Sequence, residues 1–151
     1  INLKKQIIQS LFMKKCKKGI DKWWLLKKGR KLTRKGLVKK LDDIFSQFIR
    51  KRDLRCVLCG SVESLTCGHS FSRVSYSTRW SETNCHCQCW PCNYKHESNP
   101  HPFTLWFLNK FGLSAYTTLN EDHNKTLKLK DYEIAELIEL YKQKLNALQN
   151  P

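Results

Sequence analysis

RCVLCGSVESLTCGHSFSRVSYSTRWSETNCHCQCWPCN, residues 55–93, carries two Cys-x-x-Cys pairs, Cys56/Cys59 and Cys89/Cys92, with 29 residues between them. Zinc prefers four soft ligands in a tetrahedron, and two such pairs supply four thiolates, so the spacing predicts a structural zinc site. The interval is longer than in a minimal zinc ribbon and leaves room for a hairpin bearing other groups. A closed four-cysteine site has no open coordination position. It staples a fold, and any catalysis needs other residues.

Candidates for those residues lie inside the interval and just after it. His69 follows Gly68, which lets backbone approach closely. Asn84 and His86 are two apart, so on a strand they share a face. Asn93 directly follows Cys92 and is expected to open a helix. Histidine has the pKa of a general base near neutrality. Asn oxygen and His nitrogen suit Mg²⁺, Mn²⁺ or a similar ion that stabilises charge on a phosphodiester. Arg73 has the planar fork to hold a phosphate, with packing or an ion pair as the plainer reading. His96 reads first as a surface residue on the opening turn of that helix. Cys16, Cys67, Cys85 and Cys87 read as small buried residues or incidental thiols.

Around this centre, Leu37, Leu41, Ile44, Phe45, Phe48 and Ile49 recur at helical spacing, predicting an amphipathic helix over 37–54. Gly29 and Gly36 mark residues 19–36 as a linker or broken helix. Residues 55–99, rich in Ser, Gly and Asn, read as two short strands with loops. Pro102 fits the first turn of a short helix through Lys110 that Gly112 closes, with another helix around 114–120. Asp131 is placed to cap a last helix whose stripe is Ile134, Leu137, Ile138, Tyr141, Leu145 and Leu148.

Charge divides the chain sharply. The net charge is +15; residues 1–55 hold 19 Lys/Arg against 4 Asp/Glu, and residues 56–151 hold 9 of each. A basic arm over 1–36 therefore precedes a nearly neutral domain over 37–151. Phosphate neutralisation makes nucleic acid the favoured partner of such an arm, and a solvated helix face is the plain alternative. A membrane surface is the other candidate for residues 1–28, but the apolar run Trp23–Leu26 is too short for a span or a signal segment. With no signal peptide visible, zinc is favoured over disulfides, a cytoplasmic location is expected and no membrane partner is expected.

Arg-Asp-Leu-Arg-Cys-x-x-Cys-Gly, then Gly68-His69 with Ser72-Arg73, Thr78-Arg79-Trp80, Asn84-x-His86 and Cys89-x-x-Cys92-Asn93, together resemble the phage NinG (Rap) recombination nucleases. These are members of the HNH, or ββα-metal, superfamily. The likeness runs from about Leu37 to Leu148, and the zinc-plus-Asn layout is similar to phage Holliday-junction resolvases of the endonuclease VII type. It implies structural zinc on Cys56, Cys59, Cys89 and Cys92, His69 as general base, and Asn84 as the residue that orients it. It implies Asn93 and His86, with His69, as ligands of a catalytic Mg²⁺ or Mn²⁺. One departure stands out: many members have Asp directly before the base, where this chain has Gly68, which shifts the ion toward His86 or water.

The resulting expectation is an α+β protein: a zinc-stapled, treble-clef-like ββα-metal core with flanking helices and a basic arm. It is expected to be a metal-dependent endonuclease cutting branched DNA such as Holliday junctions or D-loops. A homodimer is expected to act, joined through the 37–54 helix or the C-terminal stripe. A non-catalytic zinc module binding DNA or RNA through the arm is the alternative.

Overall fold

A computed structural model describes residues 32–149; the arm up to residue 31, with Cys16, lies outside the described residues. The elements follow as α1 (Arg34–Asp53), β1 (Leu65–His69), β2 (Cys85–Cys89), α2 (Trp90–Ser98), α3 (His101–His123) and α4 (Asp131–Ala147). The chain is thus α+β: a two-stranded antiparallel sheet among helices.

Helix α1 begins three residues earlier than its apolar spacing suggests. Thr33 is its N-cap, with Oγ1 accepting the Gly36 N–H at 3.2 Å, so Gly36 lies inside the first turn instead of ending a linker. Leu54 closes the helix in the left-handed region at φ 64°, its N–H donating to the Arg50 carbonyl at 3.0 Å. Leu37, Leu41, Phe45, Phe48 and Ile49 turn inward and meet Ile134, Leu137, Ile138 and Tyr141 of α4, with Trp80 and Cys85 joining the same core. Each such side chain taken fully from water contributes roughly 1.5–3 kcal/mol. The C-terminal stripe, read as core packing or an oligomer seam, and the stripe of α1 bury each other within one chain. Leu148 is exposed and takes no part.

Asp131 does not cap α4. Lys130 is the N-cap, its N–H donating to Glu133 Oε2 at 2.6 Å, while Asp131 sits in the first turn and accepts Arg34 Nη1 at 2.8 Å. Helix α3 runs through both short helices anticipated for 102–120, with Pro102 in its first turn. Gly112 (φ 82°, ψ 168°) breaks it where the sequence places a stop.

A two-stranded sheet is marginal by itself, and the end of α1 supports this one. Asp53 Oδ2 accepts the Cys87 N–H at 2.8 Å, and Arg52 donates to the Cys85 carbonyl at 2.9 Å and the Glu82 carbonyl at 3.1 Å. The register pairs Leu65 with Cys89, Cys67 with Cys87, Gly68 with His86 and His69 with Cys85. Alternation therefore sends Cys85 to the α1 side, where it joins the core, and His86 to the rings of α3.

Candidate metal centre and adjoining cleft

The four paired cysteines converge. Cys56, Cys59, Cys89 and Cys92 bring their sulfurs within 4.8 Å of one another, with Cys59 and Cys89 3.6 Å apart. A tight turn makes the first pair possible: Gly60 adopts φ 76°, and its N–H donates to the Cys56 carbonyl at 2.9 Å. Burial raises the Cys56 pKa, but the amides of Cys89, Cys59 and Leu58 more than offset it and bring the thiol to about 7. Four such thiols on two turns are compatible with a structural zinc ion. Every cysteine among the described residues is free of disulfides.

The second pair leads straight into α2, which starts at Trp90 and not at Asn93; Cys89 is the extended N-cap and Pro91 occupies the first turn. Asn93 is therefore within the first turn and a half, half-buried.

His69 ends β1 and lines a cleft of about 370 Å³ between α1 and the hairpin, whose walls include Arg50, Arg73, Arg79, Asp42 and Cys67. Its Nε2 lies 3.1 Å from the Arg79 carbonyl, which only accepts, so Nε2 carries the proton and Nδ1 holds the lone pair. Burial lowers the imidazole pKa, and the Arg73 and Arg79 charges add to that; the Arg79 carbonyl and Asp42 oppose it without cancelling it. The ring is neutral near pH 7.

Asp42, on α1, is fully engaged. Arg79 holds it bidentately at 2.9 and 2.6 Å, and Trp80 Nε1 donates to it at 2.8 Å. Arg73 is exposed at the cleft rim, and its carbonyl accepts Arg79 Nη1 at 3.1 Å.

Asn84 does not touch the His69 ring. Fully buried, it accepts the Phe71 N–H at 2.8 Å and donates to the Phe71 and Thr78 carbonyls at 3.0 and 3.1 Å. It pins the loop that leaves His69, so its influence on the ring passes through backbone.

His86 belongs to neither group of metal-ligating side chains among the described residues. Its Nε2 donates to the Thr83 carbonyl at 3.1 Å, and its Nδ1 faces Arg52 Nη2 at 3.2 Å, so both nitrogens are occupied. Phe103, Trp106, Phe107 and Phe111 surround the ring, and burial, then the Arg52 charge, lower its pKa to about 4. In this arrangement the ring expected as a metal ligand is packed under the aromatic face of α3 with neither nitrogen left open.

His96, read from sequence as a surface residue, is half-buried against Phe103, and its Nε2 donates to the His69 carbonyl at 3.1 Å. Its Nδ1 and Ser70 Oγ are buried without a hydrogen-bond partner among the described residues.

Cys67 and Cys85, read as small buried residues or incidental thiols, are not isolated, and Cys85 is indeed buried in the core. Their sulfurs and a ring nitrogen of His69 lie within 4.8 Å of one another. The signal for this lay in Cys67-x-His69, two residues on one strand face, opposite a strand that starts with Cys85.

A family model described as Bacteriophage Lambda NinG protein matches residues 2–150. "Protein ninG" of Escherichia phage 933W is 30% identical over 118 residues, covering 75% of this chain and 58% of that protein. The proteins of that name from Salmonella phage P22 and Escherichia phage lambda are each 29% identical, over 118 and 121 residues, 75% of this chain in both cases and 58% and 57% of theirs. The chain spans somewhat over half the length of the relatives it matches. No solved structure matches it. No described helix is long and apolar enough to cross a membrane.

Proposed function

This chain belongs to the bacteriophage lambda NinG family, and from that premise we propose that it is an HNH-type endonuclease that hydrolyses DNA phosphodiester bonds with His69 as general base. One observation carries the reading: a neutral imidazole lines a cleft whose other walls include Arg50, Arg73 and Arg79. A phosphodiester is an anion, and guanidinium forks match its oxygens. The lone pair on Nδ1 takes the proton from an attacking water, and Arg73 at the open rim meets the phosphate. Attack in line with the scissile bond leaves 5′-phosphate and 3′-hydroxyl ends. Asn84 and His96 act as positioning residues, since one fixes the loop after His69 and the other holds its carbonyl.

The sequence resemblance to phage recombination nucleases directs the proposal to branched DNA, with the basic N-terminal third as a further binding element. It also implies a catalytic divalent ion, which when bound would stabilise charge on the phosphate. A hard ion of the Mg²⁺ type takes oxygen ligands. The ligand group that contains His69 is completed by two thiols, several guanidinium groups line the same cleft, and neither of the cleft's carboxylates, Asp42 and Asp43, joins a three-ligand group with His69; Asp42 moreover accepts three hydrogen bonds. Ser70 Oγ and His96 Nδ1 are neutral donors without a carboxylate to accompany them. The donor set does not fit a hard ion, so no step is assigned to one.

The test is a cleavage assay on four-way junction, flap, linear duplex and single strand, across a series of divalent ions. Cutting of the junction, lost in His69→Ala with binding retained, supports the proposal. If the unmodified chain cuts no DNA with any ion yet binds it, the protein is a non-catalytic zinc module.

A further inference from the structure

We propose that Cys67, Cys85 and His69 form a second metal site, separate from the four-cysteine centre, that takes a thiophilic divalent ion such as Zn²⁺ and leaves its fourth position open to the cleft. The register makes the site: His69 pairs directly with Cys85, and Cys67 lies two residues away on the same face of β1. The three ligand atoms fall within 4.8 Å of one another, the same bound that the four paired cysteines meet. Zn–S bonds of about 2.3 Å and Zn–N bonds of about 2.0 Å put tetrahedral ligand atoms roughly 3.5–3.8 Å apart, so about 1 Å of contraction completes the shell.

The surroundings suit a bound ion. Metal-binding histidines usually give their second nitrogen to a carbonyl or carboxylate, which fixes ring and tautomer. The Arg79 carbonyl accepts from His69 Nε2, which fixes the ring and keeps the lone pair on Nδ1, and it lies 3.6 Å from Cys85 Sγ. Cys85 is fully buried while Cys67 and His69 are half-buried beside the cleft, so one ligand is fixed in the core and an entry path exists on the other side. Two thiolates and an imidazole select Zn²⁺ over Mg²⁺ by softness. The same two thiols explain why the neighbourhood of His69 suits a hard ion poorly.

A functional consequence follows, and this part alone rests on the nuclease reading. An ion on His69 takes the lone pair that a general base needs, so occupancy of this site and cleavage exclude each other. Zinc at the second site is then an inhibitor, while zinc at the four-cysteine site is a staple.

The experiment uses the full chain, reduced, stripped of metal and titrated with Co²⁺. Two equivalents are expected, the second adding thiolate-to-cobalt charge-transfer absorbance at about half the intensity of the first, in proportion to two sulfurs against four. Cys67→Ala, and Cys67→Ser as a second variant in case the first misfolds, should keep the first equivalent and lose the second. His69→Asn should weaken the second at least tenfold. One equivalent in the reduced unmodified chain, or a second equivalent that survives both Cys67 variants, overturns the site. In the cleavage assay, with the four-cysteine centre already zinc-loaded, a further equivalent of Zn²⁺ should suppress cutting of a four-way junction at least tenfold, and should leave each Cys67 variant at the rate it has with that centre alone filled. Undiminished cutting with the second ion bound overturns the inhibitory role. A chain that cuts nothing removes the nuclease reading, and the cobalt stoichiometry still decides the site.

Discussion

Gly68→Ala is the sharpest single test of how the hairpin is packed. A Cβ on Gly68 would lie 2.1 Å from Gln88 Oε1, 2.7 Å from its Cδ and 3.0 Å from its Cγ. Gln88 is fully buried on the neighbouring strand, so its side chain has no solvent to swing into. Overpacking of this kind costs about 1–3 kcal/mol. With Gln88 shortened to Ala the obstruction is gone, and Gly→Ala within a strand then becomes neutral or stabilising by about 0.5–1 kcal/mol. Neither amide atom of Gln88 has a hydrogen-bond partner among the described residues, so Gln88→Ala removes an unpaired amide along with its packing. A double-mutant cycle in urea on the zinc-loaded chain should therefore give a coupling of about 1–4 kcal/mol. With a slope near 2 kcal/mol/M, that is a midpoint difference of roughly 0.5–2 M. An equal cost of Gly68→Ala in both backgrounds would refute the packing account.

Three further outcomes follow from single contacts. Chelating zinc, or Cys56→Ser, should strip amide-exchange protection from residues 65–69 and 85–89, because the short sheet relies on the four-cysteine centre; unchanged protection would show the staple to be dispensable. His86 is neutral in the fold with a pKa of about 4, against about 6.5 when unfolded, so the unfolded chain binds the extra proton between those values. Its contribution is complete above about pH 6.5 and is lost as pH falls toward about 4, and urea midpoints of the zinc-loaded His86→Phe variant should lack that part of the decline. Leu54→Gly should stabilise the fold by about 0.5–1 kcal/mol and so raise the urea midpoint, since Leu54 is exposed and holds φ 64° where a side chain brings only strain; a lower midpoint would mean the left-handed cap is not strained.

The long helices were legible because their apolar spacing is local: five of the six stripe residues of 37–54 are buried, with Ile44 packed beside them. Their ends were not, because caps depend on which donor reaches which amide. Thr33 outweighs Gly36 as a start signal, and Glu133 reaching back to Lys130 makes Asp131 unnecessary as a cap. The four-cysteine centre was legible from spacing alone. Cys67 and Cys85 were not, because their meeting depends on strand register across 17 residues of loop and strand ends. His86 shows the opposite limit. Its residue type suggested a ligand, and only the packing of α3 and the reach of Arg52 reveal that both nitrogens are taken.

One register serves both sulfur clusters, and this ties the staple to the cleft. Cys85, Cys87 and Cys89 alternate along β2 with His86 and Gln88, so a slip of one residue would send the thiols toward α3 and His86 and Gln88 toward α1. The four-cysteine centre holds Cys89 and thereby fixes the register at one end of β2. Asp53 on the Cys87 amide and Arg52 on the Cys85 carbonyl fix it at the other. His69 faces Cys85, four residues along β2 from Cys89, so its ring position depends on that centre although no cysteine of the centre touches it. Loss of the structural ion should therefore disorder His69 and Cys67 together, removing base and second site at once, whereas loss of Cys67 should spare the staple. That asymmetry separates the two clusters in any experiment that perturbs one thiol at a time.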